Sequence, residues 1–189
     1  ATSKESRPTH YPRRHTTRTT VLLPRRASVV RRDLQQAMPN VADTLERGLA
    51  PDQYQYLRLA SQICVERGFP LFLGGGTVRD LLLGQSPVDL DLSAVGGGEA
   101  LATDLARALR GEVSLRSQFG TAKIRVGDST IDLALARTEE YASPGALPIV
   151  APGSIDDDLA RRDFSINAMA LPLCGDSPEV IDPHGGLEG

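Results

Sequence analysis

The order of apolar and polar positions predicts a chain in which short strands alternate with amphipathic helices. Residues 71–73 form an apolar run between Pro70 and three glycines, which is typical of a buried strand. Residues 77–83 place apolar side chains at helical spacing, and Gly84 ends this predicted helix. A second strand is predicted over residues 88–92, where apolar and acidic side chains alternate. This strand–helix–strand unit indicates an α/β chain.

Further periodic segments lie on both sides of this unit. Asp52 is suited to cap a helix, and Gly68 is suited to end it. The helices are predicted over residues 52–67 and 99–110. The strands are predicted over residues 112–116, 122–126 and 130–136, and the Gly127-Asp128 turn joins the last two. The pattern therefore predicts several short strands with helices packed against them.

The C-terminal part of the chain has a weaker pattern. Residues 138–153 have no period and contain three prolines and two glycines, which predicts a surface loop. A helix is predicted to begin at Ser154 or Asp156 and to continue through residue 170, and a last short strand is predicted at residues 180–181. The acidic run in the first turn of this helix is interpreted as a complement to the helix dipole rather than as a metal site.

The glycines between the first strand and its helix predict a phosphate-binding turn. Gly74, Gly75 and Gly76 have no Cβ, so the backbone there can turn sharply and approach a ligand closely. The backbone N–H groups of such a turn, together with the positive end of the helix dipole, are suited to phosphate oxygens. Arg79, just inside the helix, can add a charged donor to the same phosphates.

Three aspartates on the predicted strands indicate a site for a divalent cation. Asp89 and Asp91 share one face of the strand over residues 88–92, where two unpaired carboxylates would repel each other. A bound cation relieves this repulsion, and hard oxygen ligands of this kind favour Mg²⁺. Asp132 is interpreted as a third acid of the same site because Ala134 and Ala136 leave room on its side of the strand. The alternative, a solvent-facing strand residue, stays open.

The charge distribution adds a polyanion as a partner. Residues 1–32 carry nine basic residues and one acidic residue, whereas residues 33–189 carry twelve basic and twenty-three acidic residues. Residues 1–38 are therefore predicted to form a basic, disordered arm that contacts RNA, with an organelle transit peptide and a plain solvated tail as alternatives. The remaining residues, 39–189, are predicted to form one domain. No apolar stretch is long enough to span a membrane, so no membrane partner is expected.

Four segments together resemble a known family. The Rossmann fingerprint requires glycine where Arg79 stands, and the Gly-Lys-Ser/Thr of the P-loop is missing. Instead, Gly75-Gly76-Thr77-Val78-Arg79-Asp80, then Gly84 and Asp89-Leu90-Asp91, resemble the signature of the tRNA nucleotidyltransferase and bacterial poly(A) polymerase family. Residues 161–170 resemble its second motif, with Ser165 in place of threonine. Residues 132–141 and the Asp182-Pro183 and Gly185-Gly186 pairs resemble two further segments, and the likeness covers roughly residues 55–189.

The resemblance implies the nucleotidyltransferase fold of the family's catalytic head, a mixed and mainly antiparallel sheet of about five strands backed by helices. It implies template-independent transfer of CMP or AMP from CTP or ATP to the 3′-hydroxyl of RNA, above all CCA or A addition to tRNA by a two-metal mechanism. Poly(A) addition, transfer to a non-RNA acceptor and a non-catalytic nucleotide- or RNA-binding module remain alternatives. The cytoplasm is the expected location, or an organelle if the basic arm is a transit peptide.

The resemblance also assigns roles to single residues. Asp89, Asp91 and Asp132 are the implied catalytic residues, with Asp89 and Asp91 as Mg²⁺ ligands and Asp132 near the acceptor hydroxyl. The implied nucleotide-binding residues are Gly75, Gly76, Arg79, Arg162, Asp163 and Asn167. The family's neck, body and tail domains are expected to be absent from this chain, so the sequence does not predict which base is added. It gives no oligomeric state either.

Overall fold

A six-stranded mixed sheet organises the fold. The computed structural model describes residues 41–116, 120–143, 145–174 and 179–188. The helices are α1 (Val41–Gly48), α2 (Pro51–Arg67), α3 (Gly75–Leu82), α4 (Gly98–Ala108) and α5 (Ile155–Ala160). The strands are β1 (Leu71–Gly74), β2 (Leu90–Ala94), β3 (Glu112–Arg116), β4 (Thr121–Val126), β5 (Ser129–Leu135), β6 (Arg137–Glu140), β7 (Ile149–Pro152) and β8 (Ala170–Pro172). The predicted basic arm, residues 1–38, lies outside the described residues.

The strand order of the large sheet is β3-β4-β5-β2-β1-β8, and β6 pairs with β7 in a separate two-stranded sheet. Within the described strands, β2 and β5 form the one parallel pair, and the other pairs are antiparallel. The chain returns from β2 to β5 through α4 and the β3–β4 hairpin, which is the long crossover that a parallel pair needs. The predicted mixed, mainly antiparallel sheet backed by helices is confirmed, with six strands rather than about five.

Alternation along the central strands separates a buried face from a polar face. Leu90 and Leu92 of β2 and Ile131 and Leu133 of β5 are almost completely buried, and they pack in one core with residues of α2, α3 and α4. Since side chains alternate along a strand, the residues between these core positions project to the opposite face. The polar groups of the central strands therefore gather on the face turned away from this core.

The first predicted elements need small corrections. Helix α2 is capped by Ala50 rather than by Asp52, and the Gln53 side chain accepts a hydrogen bond from the Ala50 N–H at 3.2 Å. Strand β2 begins at Leu90, so Asp89 precedes the strand instead of lying within it. Val88, which the predicted strand included, is 86% exposed. The chain enters β2 only after a turn that exposes Val88, and hydrophobic alternation alone does not mark this start.

The C-terminal expectations are corrected more strongly. Residues 138–153 contain the β6–β7 hairpin instead of an irregular loop. Helix α5 ends at Ala160 and does not continue through residue 170; a 3₁₀ turn, Ser165–Asn167, and strand β8 follow. Strand β8 pairs with β1, so sheet hydrogen bonds replace the helical ones expected there. The predicted strand at residues 180–181 is reduced to a bridge between Ile181 and Ala170.

Within the described part of the chain, no helix is both long enough and apolar enough to cross a bilayer.

Candidate active site

Three charged residues lie side by side across the polar face of the sheet. Asp91 of β2 stands in register with Asp132 of β5 across the parallel pair. Asp132 stands in register with Lys123 of β4 across the antiparallel pair. The Lys123 Nζ lies 3.0 Å from each carboxylate oxygen of Asp132. Strand pairing thus places two carboxylates next to each other, with one ammonium group at the end of the row.

The surroundings of Asp91 disfavour its charged form. Burial raises the pKa of the Asp91 carboxyl, and the neighbouring charge of Asp132 raises it further. Hydrogen bonds from the backbone N–H groups of Thr77 and Gly76 and the positive charge of Arg162 lower this pKa, but they do not outweigh the first two effects. A cation bound at this carboxylate would remove the imbalance.

The glycine turn lies directly against Asp91. Gly74 precedes α3 in an extended conformation, and Gly75 has a φ of +58°, which glycine adopts without strain. A Cβ on Gly75 would lie 3.0 Å from the Arg162 Nη1 and 3.1 Å from the Asp91 Oδ2. The missing side chain therefore keeps open the space between a carboxylate and a guanidinium group.

A Gly75→Ala substitution tests whether this space receives the nucleotide. The added methyl group is expected to weaken ATP binding about tenfold, since it occupies the gap between Asp91 and Arg162. The matched control is Gly84→Ala, because Gly84 has a φ of +70° and no atom within 4 Å of its built Cβ. Both variants should lose stability, but only Gly75→Ala should lose ATP affinity in a direct binding titration. Equal ATP affinity in the two variants would contradict the assignment.

The Thr77 hydroxyl joins the glycine turn to the start of β2. It donates to the Asp89 carbonyl oxygen at 3.1 Å and accepts from the Asp91 N–H at 2.9 Å. Thr77 is 2% exposed, so water does not replace these partners. A single buried hydroxyl therefore fixes the backbone on both sides of the strand entry.

We expect Thr77→Val to lower the free energy of unfolding by about 2 kcal/mol, because it leaves two backbone groups without partners. Thr77→Ser keeps the hydroxyl and should lose clearly less. Urea unfolding of both variants measures the difference. If the valine variant were as stable as the serine variant, these two hydrogen bonds would not be what holds the strand entry.

Arg162 and Arg79 also lie next to the glycine turn, and Asn167 contacts both. Arg162 donates through Nη1 to the Asn167 carbonyl oxygen at 3.2 Å and through Nη2 to Asp158 at 3.0 Å. Arg79 donates to the Asn167 side-chain oxygen at 2.9 Å and pairs with Asp80 at 2.8 Å. The Arg162 Nε is the one buried side-chain polar atom that lacks a hydrogen-bond partner among the described residues. Two guanidinium groups thus meet at the 3₁₀ turn that contains Asn167.

These groups surround a cleft with a volume of about 410 Å³. Six of the residues predicted for the site line it: Gly75, Gly76, Asp91, Asp132, Arg162 and Asn167. Arg79 adjoins the cleft through its bond to Asn167. Asp89, half-buried before β2, and the exposed Asp163 are not among the lining residues. The structure therefore brings most of the predicted site together and leaves Asp89 and Asp163 at its edge.

Two residues of the site were missed by the sequence analysis. Lys123 could have been found, because the two-residue turn after β4 sets the hairpin register and places Lys123 opposite Asp132. Asp158 is completely buried and binds both Arg161 and Arg162, whereas the sequence analysis interpreted its acidic run as a complement to the helix dipole. Its spacing of three and four residues from two arginines was the available signal.

The carboxylate pair fits a hard divalent cation as part of a larger ligand set. The described residues contain no group of three or more His, Cys, Asp or Glu side chains that could hold a metal ion by themselves. Mg²⁺ is commonly bound by one or two carboxylates, and water and substrate phosphates complete its coordination. Asp91 and Asp132, with the raised pKa of Asp91, match that kind of donor set.

Comparisons with known proteins find similar chains among tRNA nucleotidyltransferases. The A-adding tRNA nucleotidyltransferase of Halalkalibacterium halodurans is 41% identical over 149 residues, which are 78% of this chain and 35% of that protein. The CC-adding tRNA nucleotidyltransferase of Deinococcus radiodurans is 46% identical over 123 residues, which are 62% of this chain and 32% of that protein. The structure of the Thermotoga maritima CCA-adding enzyme complexed with tRNA_CCA superposes with a TM-score of 0.65 at 33% identity, over 79% of this chain and 33% of that one.

The chain thus spans about a third of the length of these relatives. The family described as the Poly A polymerase head domain matches residues 71–189, which include every element of the cleft. The fold, the motifs and this match together show that the chain belongs to the poly(A) polymerase head domain family of nucleotidyltransferases.

Proposed function

We propose that this chain is the catalytic head of a template-independent nucleotidyltransferase, which adds CMP or AMP from CTP or ATP to the 3′-hydroxyl of RNA, with CCA or A addition to tRNA as the reaction. The observation that carries the proposal is the Asp91–Asp132 pair, which faces the glycine turn and Arg162 in one cleft. Relatives named as A-adding and CC-adding tRNA nucleotidyltransferases support the choice of tRNA.

In this reaction the acceptor 3′-oxygen bonds to the α-phosphorus of the nucleotide. The bond from that phosphorus to its bridging oxygen then breaks, and pyrophosphate leaves. The space that Gly75 and Gly76 leave beside Asp91 would receive the triphosphate, and the guanidinium groups of Arg79 and Arg162 next to it would stabilise the charge that develops on pyrophosphate. Asp163, which follows Arg162 in the chain, and Asn167, whose carbonyl oxygen accepts a hydrogen bond from Arg162, are proposed to contact the incoming nucleotide.

The acidic residues would bind the metal ion and orient the acceptor hydroxyl. Proteins of this family use divalent metal ions, and we propose Mg²⁺ as the ion, held by Asp91 with Asp132 beside it in the cleft, and by Asp89, which precedes β2, as a further oxygen donor. When bound, Mg²⁺ would neutralise phosphate charge and make the acceptor hydroxyl more acidic. We propose that Asp132 also accepts a hydrogen bond from the acceptor 3′-hydroxyl and so orients its oxygen toward the α-phosphorus.

The remaining parts of the proposal concern the whole chain. Residues 39–189 form the catalytic head, and the basic residues of the arm at 1–38 contact RNA phosphates. The partners are tRNA and CTP or ATP, no membrane is involved, and the reaction takes place in the cytoplasm, where tRNA is available.

The test uses the natural polypeptide that contains this sequence. It is incubated with Mg²⁺ and with each labelled nucleotide in turn. The acceptors are three transcripts of one tRNA, which lack the whole CCA end, end after its first C, or lack only the final A. Extension by C or A at the matching 3′ end supports the proposal, and no extension with any nucleotide overturns it. A long run of A on an RNA unrelated to tRNA would instead identify a poly(A)-adding enzyme.

A further inference from the structure

Lys123 continues the row of Asp91 and Asp132 across the sheet and lines the cleft beside them. Register places it opposite Asp132, and Asp132 lies beside Asp91 on the next strand. Its ammonium group lies at 3.0 Å from both oxygens of Asp132, so it covers the carboxylate from one side. The contact is set by the β4–β5 hairpin and needs no ligand.

The charges around Lys123 show what the contact does. The Lys123 ammonium pairs with Asp132 at 3.0 Å, and the negative charges of Asp91 and Asp89 also act on it. Three carboxylates therefore act on one positive group. Without Lys123 their mutual repulsion would go uncompensated at this end of the cleft.

We propose that Lys123 is a built-in counterion, which occupies one side of Asp132 and so lowers the affinity of the nucleotide-free cleft for divalent cations. This inference rests on the proposed function, since it concerns the cation that this function needs. A divalent cation that approaches Asp132 must work against the ammonium charge or move it aside. Lys123 acts here through the charge balance and is a positioning residue, not a catalytic one.

The consequence is that cation and nucleotide enter together. The triphosphate brings negative charge into the cleft, and this charge offsets the opposition of Lys123 to a divalent ion. Without nucleotide, Lys123 neutralises part of the negative charge of Asp132 and Asp91. The cleft is therefore set to take up the cation as a complex with its substrate.

The experiment measures Mn²⁺ binding to the nucleotide-free protein by electron paramagnetic resonance or calorimetry at low ionic strength. Lys123→Met removes the charge but keeps the length of the side chain. A unit charge about 5 Å from a divalent ion opposes its binding by a factor of roughly ten even with water-like screening, so Lys123→Met should bind Mn²⁺ about tenfold more tightly. Lys123→Arg keeps the charge and should bind Mn²⁺ like the wild-type protein.

Arg125→Met is the matched control, because Arg125 lies two residues further along the same strand and is exposed and outside the cleft lining. Its Mn²⁺ affinity should stay close to that of the wild type. Unchanged or weaker Mn²⁺ binding by Lys123→Met overturns the inference, as does equal tightening in Arg125→Met. Circular dichroism checks folding, and Lys123→Gln replaces the methionine variant if that variant does not fold.

A further variant separates this inference from the proposed function. Adding Asp91→Asn to Lys123→Met should abolish the tightening, since Asp91 is a proposed ligand. If the double variant kept the tighter Mn²⁺ binding, the cation assignment of the proposed function would fail. If Asp91→Asn abolished Mn²⁺ binding while Lys123→Met left it unchanged, the counterion role alone would fail.

Discussion

Nucleotide addition by an Asp91→Asn variant is expected to be at least about a thousandfold slower than by the wild-type protein. Asp91 is the group at which the glycine turn, Arg162 and Asp132 converge. Asparagine keeps the size of the side chain and an oxygen acceptor for the backbone N–H groups, but it removes the charge that holds a cation. The rate of 3′ extension on tRNA at saturating nucleotide measures the loss.

The control for this variant is Asp128→Asn, which removes an exposed carboxylate from the turn between β4 and β5. Its extension rate should stay within about twofold of the wild-type rate, a difference of less than 1 kcal/mol in activation free energy. If the Asp91→Asn variant kept a tenth of the wild-type rate, the assignment of Asp91 as a metal ligand would be wrong.

Stability distinguishes a lost function from a lost fold. The raised pKa of Asp91 means that the folded state binds a proton more readily than the unfolded chain does, so its ionised form lowers stability at neutral pH. In a buffer without divalent cations, Asp91→Asn should therefore melt at the same temperature as the wild type or higher. This advantage should vanish at a pH below the ordinary aspartate range, where the carboxyl is protonated in both states.

Replacement of Asp158 by alanine is expected to have the largest effect on stability, a loss of about 3 kcal/mol in the free energy of unfolding. Asp158 is completely buried and accepts hydrogen bonds from Arg161 at 3.0 and 2.5 Å and from Arg162 at 3.0 Å. Alanine would leave two partly buried guanidinium groups without this carboxylate. Urea unfolding measures the loss, and Asp156→Ala, an exposed position on the same helix, should lose less than about 0.5 kcal/mol.

The same change should weaken nucleotide binding because Asp158 fixes the position of Arg162. Under conditions in which the variant is fully folded, its Michaelis constant for ATP should rise more than its turnover number falls. Arg161 extends the network to Glu139 of the β6–β7 hairpin at 3.4 Å. A variant with wild-type stability would show that the buried acid is not the anchor of these arginines.

The sequence was most informative where local motifs coincide with local geometry. The glycine turn, the helix after it and the face of Asp91 follow from short-range pattern, and the structure has all three. Helical spacing misled over residues 161–170, because pairing of β8 with β1 overrides the local preference. The β6–β7 hairpin was missed because its residues show no alternation, and the ion pair between Arg137 and Glu139 at 2.6 Å became visible only in three dimensions.

Contacts between distant segments were harder to predict. The sequence allowed the proposal that Asp132 lies near Asp91. It did not predict how the two residues are brought together, because this requires the parallel pairing of β2 and β5. The spacing of Asp158 from Arg162 could have indicated that the two residues pair, but no signal in the sequence indicated that the carboxylate would be completely buried. Charged residues at helix starts are ordinarily solvated, so the interpretation of the acidic run was reasonable for Asp156 and failed for Asp158.

The parallel pairing of β2 with β5 also bears on how the protein matures. The two carboxylates come from strands separated by a helix and a hairpin, so neither a nascent chain nor a collapsed intermediate can present them together before this non-local contact closes. Cation affinity that depends on both carboxylates then requires the β2–β5 pairing, and Mn²⁺ uptake during refolding should report this pairing rather than the β4–β5 hairpin alone.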